Sequence, residues 1–247
     1  MRNIENERAM QSKVDCLPPA LRGAVSRNAA RARRVRLNLF LGFSAVGPVV
    51  RRVLDVVVAG TALILLSPLL LAAALAIKIS SPGPVLFPQE RVGQWGRRFK
   101  MLKLRTMVTG AEHIGAGLAV SEGDARITRV GRLLRRTSLD EVPNLVNVLR
   151  GDMAIVGPRP TVPVQVDRYT DRQRGRLKVK PGITGWAQVN GRTELPWDER
   201  IELDLWYIEH RSWRLDLQIL WRTVRMVLGG EGLYRGEAPA WRDPPRS

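Results

Sequence analysis

Cysteine is almost absent from this chain of 247 residues, and Cys16 is the only one. That excludes an intramolecular disulfide and favours a reducing, cytoplasmic setting. Histidine is nearly as scarce. His113 and His210, with Cys16, cannot furnish a zinc site of the usual nitrogen and sulfur type. Any metal has to be a hard cation held by carboxylates and phosphate oxygens. Negative charge is in short supply too. Asp plus Glu number 23 against 40 Lys plus Arg, a formal net charge of +17. Such a balance implies an anionic partner: nucleic acid, an acidic membrane surface or a phosphorylated substrate. There is no internal repeat. The length suits one large domain, or one domain with appendages, and can bury a sizeable core.

What is present begins with charge placement. Residues 1–36 are polar and end in a crowd of arginines (Arg22, Arg27, Arg31, Arg33, Arg34, Arg36). No cleavable apolar core follows the first basic residues, so this is no signal peptide. It reads as a disordered or loosely helical arm touching anionic lipid. Residues 37–50 carry Gly42, Gly47 and Pro48 and fit a short interfacial segment.

Residues 56–77 (VVVAGTALILLSPLLLAAALAI) contain no charged side chain. As a helix at ~1.5 Å per residue the run is about 33 Å long, enough to cross a bilayer. Two features favour a different path. Ser67-Pro68 lies at the middle of the run, where proline removes a donor and Ser67 can answer freed carbonyls. Basic residues flank both ends, Arg51 and Arg52 before it and Lys78, Arg91, Arg97 and Arg98 after it. The positive-inside rule puts both ends on the cytoplasmic side, which a helix–break–helix entering one leaflet and returning satisfies. A proline-kinked spanning helix is the alternative.

After Ser80-Ser81-Pro82-Gly83-Pro84, alternating segments around Gly93 and Gly96 predict a β-hairpin, with Phe99, Met101 and Leu102 feeding a strand. Lys103 and Arg105 alternate with Leu104 and would emerge on one face, either toward phosphate or as a solvated edge. Residues 108–123 read as a helix plus loop, and 162–175 as a polar helix. VKPGITGWAQVNGR (residues 179–192) is a glycine-punctuated loop around Trp186 ending on Arg192, able to set backbone N–H groups and a guanidinium against phosphate. From Trp197 amphipathic helices follow, with Trp206, Trp213 and Trp221 interleaved with arginines, as at a membrane interface or in a core. The tail from Gly229 is Gly/Pro-rich and reads as disordered.

The stretch RRTSLDEVPNLVNVLRGDMAIVGPRP (residues 135–160) holds adjacent carboxylates, Asp140 and Glu141, among Arg135, Arg136 and Arg159. Leu139, Val142, Val146 and Leu149 recur at helical spacing and predict a helix over 139–149. Ser138 stands at its N-cap with Glu141 three residues on, as in a capping box. Asp140 then lies in the first turn, where the dipole favours its anion. Two readings stay open on these residues. Glu141 caps and Asp140 answers the dipole, or an ionised carboxylate beside arginines attacks phosphorus or holds a metal.

SPGPVLFPQERVGQWGRRFKMLKLRTM, RITRVGRLLRRTSLDEVPNLVNVLRGDMAIVGPRP, VKPGITGWAQVNGR and DLWYIEHRSWRLDLQILWRTV, in this order, make the chain resemble the bacterial sugar transferases, the small monotopic phosphoglycosyl transferases, from Arg51 to Val227. The resemblance implies transfer of a sugar-1-phosphate from a UDP-sugar to undecaprenyl phosphate with release of UMP. By the same resemblance Asp140 is the nucleophile of a phosphosugar–aspartate intermediate and Glu141 its acidic partner. Mg²⁺ sits at Asp140 and Glu141, and Arg135, Arg159 and Arg192 grip phosphate oxygens. Lys103 and Arg105 join them as phosphate-binding candidates, and Ser67-Pro68 marks a re-entrant anchor.

The expected fold is α+β and mostly helical, with a re-entrant helix–break–helix anchor and a compact cytoplasmic catalytic domain containing a small hairpin. The expected layout is a basic arm over 1–50, an anchor over 51–80, a transferase domain over 81–228 and a tail over 229–247. The chain reads as a short form of the family with an added basic arm. The expected location is the bacterial inner membrane with its anionic lipids, the catalytic domain facing the cytoplasm. The process would be initiation of exopolysaccharide, capsule or O-antigen-type glycan. Nucleic acid is not an expected partner, and a homo-oligomer is left open. Competing readings are a membrane-tethered basic module without catalysis and a lipid-phosphate hydrolase.

Overall fold

The computed structural model describes residues 46–113, 123–191 and 195–229. The chain divides into two compact units, Met1–Val53 and Leu54–Ser247. Of the first, only residues 46–53 are described, and they open helix α1 (Val46–Ser80). Residues 1–45 of the basic arm expected over 1–50, and the tail beyond Gly229, lie outside the described residues.

Helix α1 starts earlier than the expected 51, because Pro48 falls in its first turn, where a backbone N–H has no intrahelical acceptor to lose. Nor does the expected break interrupt it: the helix runs through Pro68 as one element of 35 residues. Proline at 68 leaves the carbonyl of Ile64 without its usual donor. The Ser67 hydroxyl donates to that carbonyl at 2.8 Å.

Within Leu54–Ser247, α1 lays one stripe against the rest of the fold. Ala59, Ala62 and Leu63 pack with Leu145, Val148, Met153 and Phe99. Leu70, Ala73 and Ile77 pack with Leu104, Leu134, Val130 and Leu139. These positions recur at three- and four-residue spacing, as one helical face requires. The remaining faces are apolar and bare: Ile64 is 74 % exposed, Leu65 73 % and Ile79 87 %.

Strand β1 (Leu86–Val92) pairs antiparallel with β2 (Arg98–Leu104), Leu86 opposite Leu104 and Val92 opposite Arg98, as the hairpin pattern predicts. Pro88 fits because, among the described residues, β1 has no second strand neighbour to receive its missing N–H. Helix α2 (Arg129–Arg136) is capped by Thr128, whose hydroxyl accepts from the Gly131 amide at 2.8 Å.

The expected helix over 139–149 is divided. Leu139–Glu141 is a 3₁₀ turn, and α3 runs Asn144–Arg150. Ser138 makes no capping bond and sits in the left-handed region at φ 57°. The capping box is therefore absent, because Glu141 has stronger partners elsewhere.

Strand β3 (Ala154–Val156) pairs in parallel with β4 (Gly182–Thr184), a second small sheet whose β4 falls in the stretch expected as a glycine-punctuated loop over 179–192. The glycines of 182–185 serve this pairing. A Cβ on Gly182 would lie 2.1 Å from the Gly157 nitrogen, and one on Gly185 2.2 Å from the Gly157 carbonyl oxygen. The expected polar helix over 162–175 is two short ones, α4 (Pro163–Val166) and α5 (Asp171–Arg174). Tyr169 turns inward between them, and Thr170 with Gln173 restarts the helix through a capping box. Helices α6 (Trp186–Val189), α7 (Trp197–His210) and α8 (Trp213–Leu228) complete the described chain. The fold is mostly helical α+β with a small antiparallel hairpin.

Candidate active site

Three elements converge on the paired carboxylates. Asn147, one turn into α3, accepts from the Leu102 amide (3.1 Å) and donates to the Lys100 carbonyl (2.9 Å), which clamps α3 to β2. The clamp brings Lys103, near the end of β2, against the 3₁₀ turn. Lys103 Nζ donates to Glu141 Oε1 at 2.9 Å. Arg159, just past β3, arrives from the other side. Its two terminal nitrogens donate to Glu141 Oε1 at 2.6 Å and Oε2 at 3.2 Å. A guanidinium held at two points is fixed in direction as well as charge.

Arg159 is positioned in turn from below. Its backbone carbonyl accepts from Arg176 at 2.8 Å. Arg176 is buried and donates to Asp204 (2.7 Å) and to the Tyr169 hydroxyl (2.7 Å). The Arg159 side chain keeps 34 % of its surface in solvent, so it joins the buried acid to the outside.

The two carboxylates are only 6 % and 8 % exposed, yet their ionisation differs. Burial works against charge on Glu141, but Arg159 and Lys103 outweigh it and hold the group well below the ordinary carboxylate range. Asp140 shifts the other way. Burial, and then the fixed charge of Glu141, push it up to about 6, against the pull of Lys103, Arg135 and Arg159. The first-turn position that favours the Asp140 anion is thus opposed by burial and by its acidic neighbour. Lys103 is itself lowered, because burial and the nearby Arg159 outweigh Glu141.

Among the described residues Asp140 Oδ1 is buried with no hydrogen-bond partner. The pair thus separates into an engaged acid, Glu141, and an available one, Asp140. No cluster of three or more His, Cys, Asp or Glu side chains occurs among the described residues. A hard cation therefore fits only if phosphate oxygens of a substrate supply most of its ligands, with Asp140 Oδ1 the protein oxygen on offer. Both oxygens of Glu141, the other expected metal ligand, already accept hydrogen bonds.

The remaining candidates divide. Arg135 lies close enough to act on Asp140 electrostatically, and its Nε donates to Thr106 Oγ1 at 2.7 Å. Arg105 turns away from the carboxylates. It is buried, donating to the carbonyls of Ser81 (2.7 Å) and Pro82 (2.8 Å), where it ties down the link after α1. Strand β2 ends at Leu104, so the alternation that paired Arg105 with Lys103 does not reach it. Arg192 lies outside the described residues. Ser67 and Pro68 lie within α1.

Sequence reasoning missed Asn147, Arg176 and Asp204. Asp204 carried a usable signal: it stands between Ile201 and Leu205, both buried, so a carboxylate on that face required a buried cation.

Residues 46–230 match the bacterial sugar transferase family. The chain belongs to that family. It is a transferase. An uncharacterized sugar transferase of Bacillus subtilis (strain 168), EpsL, is 42% identical over 187 residues, 76% of this chain and 91% of the relative. A UDP-glucose:undecaprenyl-phosphate glucose-1-phosphate transferase of Caulobacter vibrioides is 47% identical over 193 residues, 74% of this chain and 72% of the relative. A UDP-N-acetylgalactosamine-undecaprenyl-phosphate N-acetylgalactosaminephosphotransferase of Aeromonas hydrophila is 44% identical over 190 residues. The alignment covers 74% of this chain but only 44% of that protein's length.

Proposed function

We propose that this transferase moves a sugar-1-phosphate from a UDP-sugar to undecaprenyl phosphate, releasing UMP, through a covalent phosphosugar on Asp140. The observation that carries the reading is the asymmetry of the acid pair. Asp140 Oδ1 is buried with no hydrogen-bond partner among the described residues, while Glu141 beside it holds Lys103 and Arg159 in place.

In the first step an Asp140 oxygen attacks the phosphorus that bears the sugar. The bond from that phosphorus to the bridging oxygen breaks, and UMP leaves with the electron pair. In the second, an oxygen of the lipid phosphate attacks the same phosphorus. The bond to Asp140 breaks, the carboxylate is restored, and the sugar is left on a polyprenyl diphosphate. Nucleophilic catalysis of this kind divides one difficult displacement into two easier ones. Lys103 and Arg159, aimed by Glu141, supply positive charge where phosphoryl oxygens gather it. Arg135, and Arg192 by family resemblance, would add to that charge. When bound, Mg²⁺ would offset the repulsion between a carboxylate and a diphosphate, held by Asp140 and substrate oxygens.

The anchor supports a monotopic placement. Ala59 and Ile77 are about 27 Å apart along a helix at ~1.5 Å per residue, nearly the thickness of a hydrocarbon core. A helix crossing the bilayer would carry one of them far from the catalytic part. Yet both are buried in it, at 0 % and 2 % exposed. A re-entrant path, with α1 bent at Ser67-Pro68 and both ends and the catalytic part at the cytoplasmic face of the inner membrane, would account for this contact and for the basic flanks. The process served is initiation of exopolysaccharide, capsule or O-antigen-type glycan.

The test uses purified protein in nanodiscs with Mg²⁺, undecaprenyl phosphate and UDP-glucose, UDP-galactose and UDP-N-acetylgalactosamine in turn. Lipid-dependent UMP release from one donor, absent in Asp140→Asn, is the expected result. Silence with every donor would overturn the substrate assignment. Inorganic or sugar phosphate formed without lipid would favour a hydrolase.

A further inference from the structure

Asn144 is completely buried, at 0 % exposed, and neither its Nδ2 nor its Oδ1 has a hydrogen-bond partner among the described residues. An amide left so is costly, and buried polar groups are nearly always paired. The contrast with Asn147 is direct. It is equally buried at 0 %, yet bonds to the Leu102 amide, the Lys100 carbonyl and the Asp152 carboxylate.

The backbone places Asn144 with the acids. Helical hydrogen bonds continue from the 3₁₀ turn into α3, from the Val142 amide to the Leu139 carbonyl (3.2 Å) and from Leu145 to Val142 (3.0 Å). Residues three and four apart on such a path share a face. Asn144 therefore follows Glu141 and Asp140 on their face and precedes Asn147 on the same face. Glu141 meets Lys103, and Asn147 meets Lys100 and Leu102, all on β2. Asn144 lies between these two anchoring positions, with the other orphaned buried atom of this face, Asp140 Oδ1, one turn before it.

We propose that Asn144 is a phosphoryl-binding residue: its Nδ2 donates to a non-bridging oxygen of the phosphoryl group transferred to and from Asp140. The inference rests on the transferase reading and deepens it. The free protein keeps a donor unsatisfied, and the substrate's anionic oxygen completes it. The cost in stability is offset in function, as at other preorganised sites.

The test is Asn144→Ala in the full chain in nanodiscs, read three ways. Tm should equal or exceed that of the wild type, because the change removes an unsatisfied amide. The kcat for UMP release should fall about 100-fold, the usual scale for losing one preorganised donor, with KM for the UDP-sugar changing less. Labelled phosphosugar retained on the protein without lipid should fall in step. A lowered Tm or a failure to fold would mean that the amide has structural partners, and would overturn the inference. So would a kcat within about threefold of wild type at unchanged Tm. If the wild type itself releases no UMP while folded, the transferase reading fails and takes this inference with it. An active wild type beside an equally active Asn144→Ala sinks the inference alone.

Discussion

Asp140 and Glu141 are neighbours in sequence and opposites in engagement: Glu141 accepts from Lys103 at 2.9 Å and from Arg159 at 2.6 Å, while Asp140 Oδ1, also buried, has no hydrogen-bond partner among the described residues. The engaged acid organises the cations, and the idle acid is left free to react. This division underlies the predictions that follow.

Replacing Glu141 with Gln should damage both fold and turnover. Lys103 and Arg159 would lose their shared counter-charge in a buried setting, and removing one partner of such a group costs about 3 kcal/mol. Urea unfolding should show that loss, and UMP release should fall at least about 100-fold because neither cation is aimed. Full turnover in Glu141→Gln would show that the cations need no organiser.

Turnover should rise with pH through about 6, the value to which burial and Glu141 push Asp140, because the attacking species is the carboxylate. The stability sign is the reverse. Asp140 binds its proton more tightly folded than unfolded, so stability declines between its ordinary 3.8 and about 6 as pH rises. Asp140→Asn should therefore be more stable than wild type at pH 7, by on the order of 2 kcal/mol, with the gain vanishing below pH ~4. Thermal melts of both proteins across that range check the sign. A variant less stable than wild type at pH 7 contradicts it.

Asp204 shields the charge of Arg176, which in turn holds the Arg159 carbonyl. Asp204→Ala would leave a buried guanidinium uncompensated, a loss of roughly 3–5 kcal/mol. At temperatures where the variant stays folded, KM for the donor should rise, since Arg159 loses its backbone support. Unchanged KM in a folded variant would confine the pair to a structural role.

Ser138 occupies the left-handed region at φ 57°, a conformation that glycine adopts without penalty. Ser138→Gly should raise stability by about 1 kcal/mol. Looser placement of the acid pair should lower kcat at the same time. A change of the opposite sign in denaturant midpoint would show that the serine side chain contributes what the backbone loses.

How far the sequence could be read follows from the range of each interaction. The hairpin was legible because Gly93 and Gly96 separate two alternating segments, and its register is local. Helix α1 was legible because a long uncharged run has few alternatives. The acid pair stood out by its arginines. Its local structure did not, because Ser138 and Glu141 have the spacing of a capping box while Glu141's real partners lie 38 and 18 residues away. Lys103 and Arg105 looked equivalent because strand alternation was extended past the end of β2. Gly182 and Gly185 suggested a phosphate loop, whereas their lack of a side chain lets β4 and its following turn approach Gly157. Arg176 was not legible, because its partner, the buried Asp204 on α7, lies 28 residues away.

The central claim is that Asp140 carries the sugar phosphate between donor and lipid. Intact-protein mass spectrometry after brief exposure to UDP-sugar and Mg²⁺, without undecaprenyl phosphate, tests it directly. The account predicts a mass increase of one sugar phosphate, mapped to the peptide holding Asp140, discharged by adding the lipid and missing in Asp140→Asn. An unmodified wild-type protein that nevertheless releases UMP when lipid is present, or an adduct that persists in Asp140→Asn, would contradict it.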